Sequence, residues 1–283
     1  MSDSGSVDGA DAEDAFALLA DETRLAIIRE LYALEEPLTF SELGERVGMR
    51  DSGQFNYHLG KLTSRFVEQT DDGYTLTMAG LRVLGAVFAG AYDEATTIEP
   101  ISIDDPCPVC DGDLVAVYDR DHFKITCEDC ERQIVAYPAP PGILRGRDRT
   151  DLPDVFSRYA THVLGQITDG FCPLCLGTTT AELGAEPTDG VGVTYRCDHC
   201  GLDMSMSAVV ALLTVPAAVA FARDHGIEID KTPIWNNPLF DSDERLIEDE
   251  SGPAVLELSL TLDDETLTVQ FDDQLSALET TRF

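Results

Sequence analysis

The sequence predicts an α+β chain: a small helical module first, then two cysteine-held β-rich units each followed by a helix, and last a β-hairpin. Three observations predict it. Residues 14–92 carry apolar positions at helical spacing, broken by one short β-like interval. All eight cysteines fall into four C-x-x-C pairs, opening at Cys107, Cys127, Cys172 and Cys197. Near the C-terminal end Leu256, Leu258, Leu260 and Leu262, then Leu267, Val269 and Phe271, alternate around Asp263-Asp264, as in a hairpin with one apolar face.

The 283 residues have room for two or three compact units. There are 53 acidic against 19 basic residues, a formal charge of −34, and lysine occurs only at Lys61, Lys124 and Lys231. Such a balance fits a salt-adapted proteome. Counterion release, the usual source of nucleic-acid affinity, shrinks in molar salt, so an acidic chain is not excluded from DNA. No basic, apolar leader opens the sequence and no cysteine is left over, which points to a reducing cytoplasm. The apolar stretch from Met204 to Ala222 contains Pro216 and is rich in Ala, Ser and Thr, so a buried helix is expected there and no membrane span.

Residues 1–12 are small and acidic and are expected to be a disordered leader. A first domain follows over 13–95. Asp21 caps a helix running to about Leu34, with Leu25, Ile28, Leu31 and Tyr32 on one face. Thr39-Phe-Ser-Glu42 is a capping box opening the next helix, which Gly48 closes, and Asp51 caps a third. Two short helices joined by a Gly-containing turn are the helix-turn-helix layout.

On the third helix Phe55, Leu59 and Leu62 fall within about 60° and face the core. Gly53, Gln54, Tyr57, Lys61 and Ser64 then face away, flanked by Ser52 and Asn56. Amides and hydroxyls suit base edges, an aromatic suits thymine methyls, and cations suit phosphates. The candidate DNA-binding set is Arg50, Ser52, Gln54, Asn56, Tyr57, Lys61 and Arg65. From Arg46 to Arg65 four basic residues face one acidic residue, Asp51, in a chain otherwise strongly negative. Phe66–Thr70 and Tyr74–Thr77 flank the turn Asp71-Asp72-Gly73 as a β-wing with an acidic tip. His58, beside the core face, is expected to pack or touch phosphate.

The segments "LADETRLAIIREL", "FNYHLGKL" and "GYTLTMAG" resemble the ArsR-type winged helix-turn-helix regulators, particularly those of extreme halophiles. The resemblance covers roughly the first third of the chain. It implies major-groove reading by Asp51 to Lys61, and a homodimer built through helices near 13–20 and 78–92, with Leu81, Leu84, Val87 and Phe88 on the seam. Metal-sensing members carry cysteine on the first helix of the turn; the matching segment Ser41–Val47 has none, so direct metal-responsive repression is not expected.

Residues 96–106 are polar and end in Pro106, and are expected to be a linker. Beyond them the chain repeats itself. The first unit, 107–168, has Cys107 and Cys110, then Cys127 and Cys130, then an amphipathic segment from Asp151 to Ile167. The second, 169–283, has Cys172 and Cys175, then Cys197 and Cys200, then the segment from Ser205 to His225 and the hairpin. Both open C-P-x-C, which suggests duplication. Two C-x-x-C knuckles brought together by a β-hairpin make a zinc ribbon, so two structural zinc sites of four cysteines each are expected. Iron in a rubredoxin-like site and redox disulfides are the alternatives. Arg145, Arg147 and Arg149 form a basic island that pairs with local carboxylates or holds an anion. Trp235 sits in a proline-bounded segment that reads as a packing plug or a pocket wall.

No phosphate loop, Ser-His-Asp arrangement or open metal site is legible, so no enzyme is expected. The function read from the residues is a dimeric, sequence-specific regulator of transcription, a repressor, on double-stranded DNA. The alternative is a zinc-ribbon adaptor contacting the transcription machinery without specific DNA.

Overall fold

The computed structural model describes residues 9–34, 36–185, 190–247 and 254–283. The chain divides into two compact units, one running to Glu94 together with Pro140–Gly142, the other comprising Ala95–Ala139 and Ile143–Phe283. The fold is α+β, with several small antiparallel sheets.

The first unit holds helices α1 (Gly9–Leu19), α2 (Glu22–Tyr32), α3 (Phe40–Val47), α4 (Ser52–Leu62) and α5 (Met78–Phe88), and the hairpin of β1 (Val67–Thr70) with β2 (Gly73–Leu76). The expected caps form. The Asp21 side chain accepts the Arg24 N–H, Thr39 and Glu42 complete the capping box, and Asp51 accepts the N–H groups of Gly53 and Gln54. Gly48 closes α3 at φ 75°, a left-handed conformation that glycine adopts without a Cβ penalty. Ile27, Ile28, Leu31, Leu43, Phe55, Leu59, Leu62 and Leu84 meet in one core.

Three expectations change. The leader expected over 1–12 lies outside the described residues up to residue 8, and Gly9–Ala12 already belong to α1. Tyr32, placed on the buried face of α2, is exposed, and Ile27 is buried in its stead. Leu84, placed on an intersubunit seam, is 1% exposed inside its own unit's core, whereas Leu81 and Phe88 of the same helix are exposed. A helix of eleven residues has two usable faces, and spacing alone does not say which one its own core takes.

The second unit carries three sheets. Strands β3 (Thr97–Pro106), β4 (Asp113–Asp119), β5 (His122–Cys127) and β6 (Gln133–Pro138) form the first, in sequence order. After α6 (Leu152–Thr168) come β7 (Thr179–Ala185), β8 (Val191–Cys197) and β9 (Asp203–Ser207), the second sheet. A 3-10 segment, Ala208–Thr214, then leads to α7 (Pro216–Asp224). The last sheet is β10 (Asp243–Ile247), β11 (Val255–Leu262), β12 (Glu265–Phe271) and β13 (Ala277–Arg282).

The residues expected as a linker over 96–106 are therefore strand β3, bonded to β4 from Thr97↔Asp119 to Pro106↔Asp113. Ile98 and Ile101 are three positions apart, out of step with a regular strand, and the register shift between them hid the pattern from the sequence. The second amphipathic segment is not one helix either. Ser207 accepts the Val209 N–H and starts the 3-10 turn, and Pro216 begins α7, where its missing N–H costs nothing. Ala208–Leu212 are fully buried, and among the described residues no helix is long and apolar enough to cross a membrane. The C-terminal hairpin is the centre of a four-stranded sheet. Its leucine face, together with α6, α7 and both cysteine-bearing sheets, lines one continuous core, so the expected division at residue 169 cuts through a single unit.

Phe156 of α6 stacks between Tyr118 and Phe123, with ring centroids 5.8 and 4.7 Å away. Trp235 is buried, its indole N–H donating to Asp105 at 2.9 Å, so it is a packing plug. Two arginines of the basic island bond backbone: Arg147 donates to the Ile143 carbonyl, and Arg149 to those of Glu99 and Pro100.

Candidate metal centres and nucleic-acid interface

Each cysteine cluster is built by a strand hairpin with a tight knuckle at either end. Cys107 and Cys110 precede β4, and Cys127 ends β5 with Cys130 just beyond it. Cys172 and Cys175 precede β7, and Cys197 ends β8 with Cys200 beyond it. The two sites share their main knuckle bonds. The Cys107 N–H donates to the Gly112 carbonyl and the Cys172 N–H to that of Gly177, both at 2.8 Å. The Cys127 N–H donates to Arg132 and the Cys197 N–H to Leu202. The residue after each pair, Asp111, Glu131, Leu176 or Gly201, takes a positive φ between 58° and 72°, which turns the knuckle back over its sulfurs. Sequence reading missed these turn residues and Gly177, although the shared C-P-x-C-x-G pattern was a signal.

In each tetrad the four sulfurs lie within 4.8 Å of one another. Facing pairs are Cys107–Cys130 at 3.9 Å, Cys110–Cys127 at 3.5 Å, Cys172–Cys200 at 3.7 Å and Cys175–Cys197 at 3.5 Å. These are far longer than the roughly 2.05 Å of a disulfide. Four thiolates about 2.3 Å from a tetrahedral dication sit about 3.8 Å apart, and the tetrads have that spacing. Backbone N–H groups point at the sulfurs as well, from Cys130 to Cys127 and from Cys200 to Cys197 at 3.5 Å.

Those N–H groups hold the Cys127 thiol down to about 7 and that of Cys197 down to about 6. On Cys110 the Gly112 N–H pulls the same way, but the sulfurs of Cys127 and Cys130 outweigh it and push the thiol up to about 12. Cys175 is likewise pushed up to about 12, the Gly177 N–H being outweighed by burial and Cys197. Without a cation, four adjacent thiols cannot all ionise, and a bound dication removes that conflict. The eight expected ligands are thus brought together as two complete sets.

The candidate DNA-binding residues form one solvent-facing group with one exception. Ser52, Gln54, Asn56, Tyr57 and Lys61 are exposed along α4, and Arg50 is exposed just before its cap. Lys61 Nζ lies 5.7 Å from the Tyr57 ring centroid. Arg65 differs: it follows α4 beyond Ser64, whose φ is 76°, and is half-buried. The acidic hairpin tip, Asp71 and Asp72, is exposed. His58 packs against the Asp21 carboxylate.

Residues 104–277, more than half of the chain, match a family model described as a domain of unknown function, DUF7351. Residues 12–87 match a second such model, DUF7347. No curated protein and no solved structure matches.

Proposed function

The chain belongs to the DUF7351 family, and we propose that it is a dimeric, sequence-specific DNA-binding regulator of transcription, a repressor, whose C-terminal unit is held together by two structural zinc ions. In this reading α3, Gly48–Asp51 and α4 are a helix-turn-helix, β1 and β2 are its wing, and each cysteine hairpin is a zinc ribbon.

The observation that carries the reading is the outward face of α4. In a chain of net charge −34, this face presents Gln54, Asn56, Tyr57 and Lys61 and no carboxylate. The acid immediately before the helix, Asp51, is turned onto the N–H groups of Gly53 and Gln54. Amide, aromatic and cation on one exposed helix are what a major groove selects. In this reading the exposed acidic tip of the hairpin, Asp71 and Asp72, contributes no phosphate contact. Exposed Phe16, Tyr32, Met78, Leu81 and Phe88 supply an apolar surface for the second protomer.

The spacing of the four thiolates speaks against disulfides and suits zinc and iron alike; we assign zinc, and metal analysis of the purified chain separates the two. A closed site has no open position for water, so the metal stabilises and does not catalyse. In this reading the chain has no enzymatic role and works in a reducing cytoplasm, the compartment that four-thiolate sites suit.

The test is selection of bound sequences from a random DNA pool in molar potassium chloride, wild type beside a Gln54→Ala, Tyr57→Ala double variant. Enrichment of a two-fold-symmetric site by wild type alone supports the regulator. No enrichment by folded, metal-loaded protein supports an adaptor for the transcription machinery, for which exposed Phe171, Leu174 and Leu176 beside the second cysteine cluster would be the contact surface.

A further inference from the structure

Asp21, Arg24 and His58 meet where the start of α2 packs on α4. Asp21 Oδ1 accepts the Arg24 backbone N–H at 3.0 Å and lies 3.4 Å from His58 Nδ1 and 3.7 Å from Arg24 Nε. Both side-chain nitrogens are buried, and among the described residues neither has a hydrogen-bond partner. They approach the same carboxylate oxygen. The far end of Arg24 is fixed to α1, Nη2 donating to the Ala17 carbonyl at 3.2 Å.

The other side of His58 leads to the surface. Its ring meets that of Tyr57 edge-on, centroids 5.4 Å apart, and Lys61 sits over Tyr57. A line of contacts therefore runs from the cap of α2 through His58 to two residues of the exposed α4 face.

A buried ring nitrogen without a partner is costly, and the nearest group is an anion. An imidazolium turns that contact into an attractive pair; a neutral ring leaves it weak. Histidine gains and loses this proton between about pH 5 and 8. His58 is the only histidine before residue 95, and no cysteine precedes Cys107, so the first unit holds no second side chain of the types that ordinarily titrate in that interval. Asp21 remains ionised throughout, because the Arg24 N–H, and the charges of His58 and Arg24, hold it below the ordinary carboxylate range against its partial desolvation. Among the described residues the charged groups of this cluster are Asp21, against His58, and Arg24, both from α2, with Lys61 of α4 over the neighbouring Tyr57 ring.

We propose that His58 is a proton-dependent positioning residue: clamped to Asp21 in its protonated form, it fixes α4 against α2 and sets how Tyr57 and Lys61 are presented. This rests on the reading of α4 as the DNA-contacting helix. The clamp makes presentation tighter in mild acid and looser in mild alkali.

The experiment measures affinity for the selected DNA site between about pH 5.5 and 8 at fixed salt, for wild type, His58→Gln and Asp21→Asn. Asparagine keeps the cap of α2 while removing its charge. Amide hydrogen exchange of α4 is followed in the same pH series without DNA. Wild type should lose roughly threefold to tenfold in affinity as the pH rises through the histidine range, and α4 protection should fall with it. Both variants should give flat profiles. A wild-type profile as flat as theirs, or a slope that survives in both, overturns the proposal. If wild type binds no DNA at any pH, the DNA reading fails and the clamp is judged on exchange alone. A pH-independent α4 in wild type then overturns it, whatever the folding of the variants.

Discussion

Gly177 shows how little freedom single residues of the second cluster have. A Cβ there would lie 2.8 Å from His199 Cβ and 3.2 and 3.3 Å from the sulfurs of Cys175 and Cys197. Gly177→Ala is expected to cost about 1–3 kcal/mol through overpacking and to weaken metal retention there. Gly184→Ala, where no described atom lies within 4 Å of the added Cβ, should be tolerated. Chelator competition on the two variants distinguishes them, and equal retention would mean that the knuckle yields freely. Cys127→Ser is expected to lower the metal content from two ions per chain to one, read by elemental analysis. On α4, Tyr57→Ala should lose about 1–3 kcal/mol of affinity at the cognate site and much less on unrelated DNA. A uniform loss on all sequences would assign Tyr57 to backbone contact.

At the scale of elements, α5 divides its apolar residues between two tasks. Leu84 is within the core of its unit, and Phe88 lies outside against the ring of Tyr32, centroids 5.3 Å apart. Leu84→Ala is therefore expected to destabilise the first unit by about 2–5 kcal/mol. Phe88→Ala should barely change its melting but should weaken self-association. Thermal unfolding and sedimentation of both variants check this division, and a Phe88 variant that melts early while still dimeric would contradict it. The capping box of α3 is a smaller contribution: Thr39→Ala should cost about 1 kcal/mol.

Taken whole, each unit has its own continuous core. Both metal clusters belong to the second, with sulfurs of Cys107 and Cys127 buried among the same residues as the leucine face of β11 and β12. Removing metal is expected to unfold that unit as a whole, while the helices of the first persist. Acid should act in the same direction, since protons compete with metal for the thiolates. Amide exchange after chelation is the check; two independent losses within the second unit would indicate two separate domains.

The sequence by itself determined whatever is local. Caps at Asp21, Thr39 and Asp51, the turn at Gly48, the buried trio Phe55, Leu59 and Leu62, the cysteine hairpins and the leucine alternation are all legible because each depends on residues a few positions apart. Tertiary structure alone decided whatever depends on distant partners. Strand β3 exists because β4 offers it an edge; the three-residue step from Ile98 to Ile101, among acids and prolines, left no sustained period-two signal over residues 96–106. The apolar run after Cys200 became strand, 3-10 turn and short helix because Pro216 and the surrounding core, not its hydrophobicity, set its path. Leu84 turned inward and Tyr32 outward for the same reason: periodicity defines faces, and only packing chooses which one is buried. The approach of Asp21 and His58, thirty-seven positions apart, had no sequence signal at all, because nothing in residue spacing records where one helix crosses another.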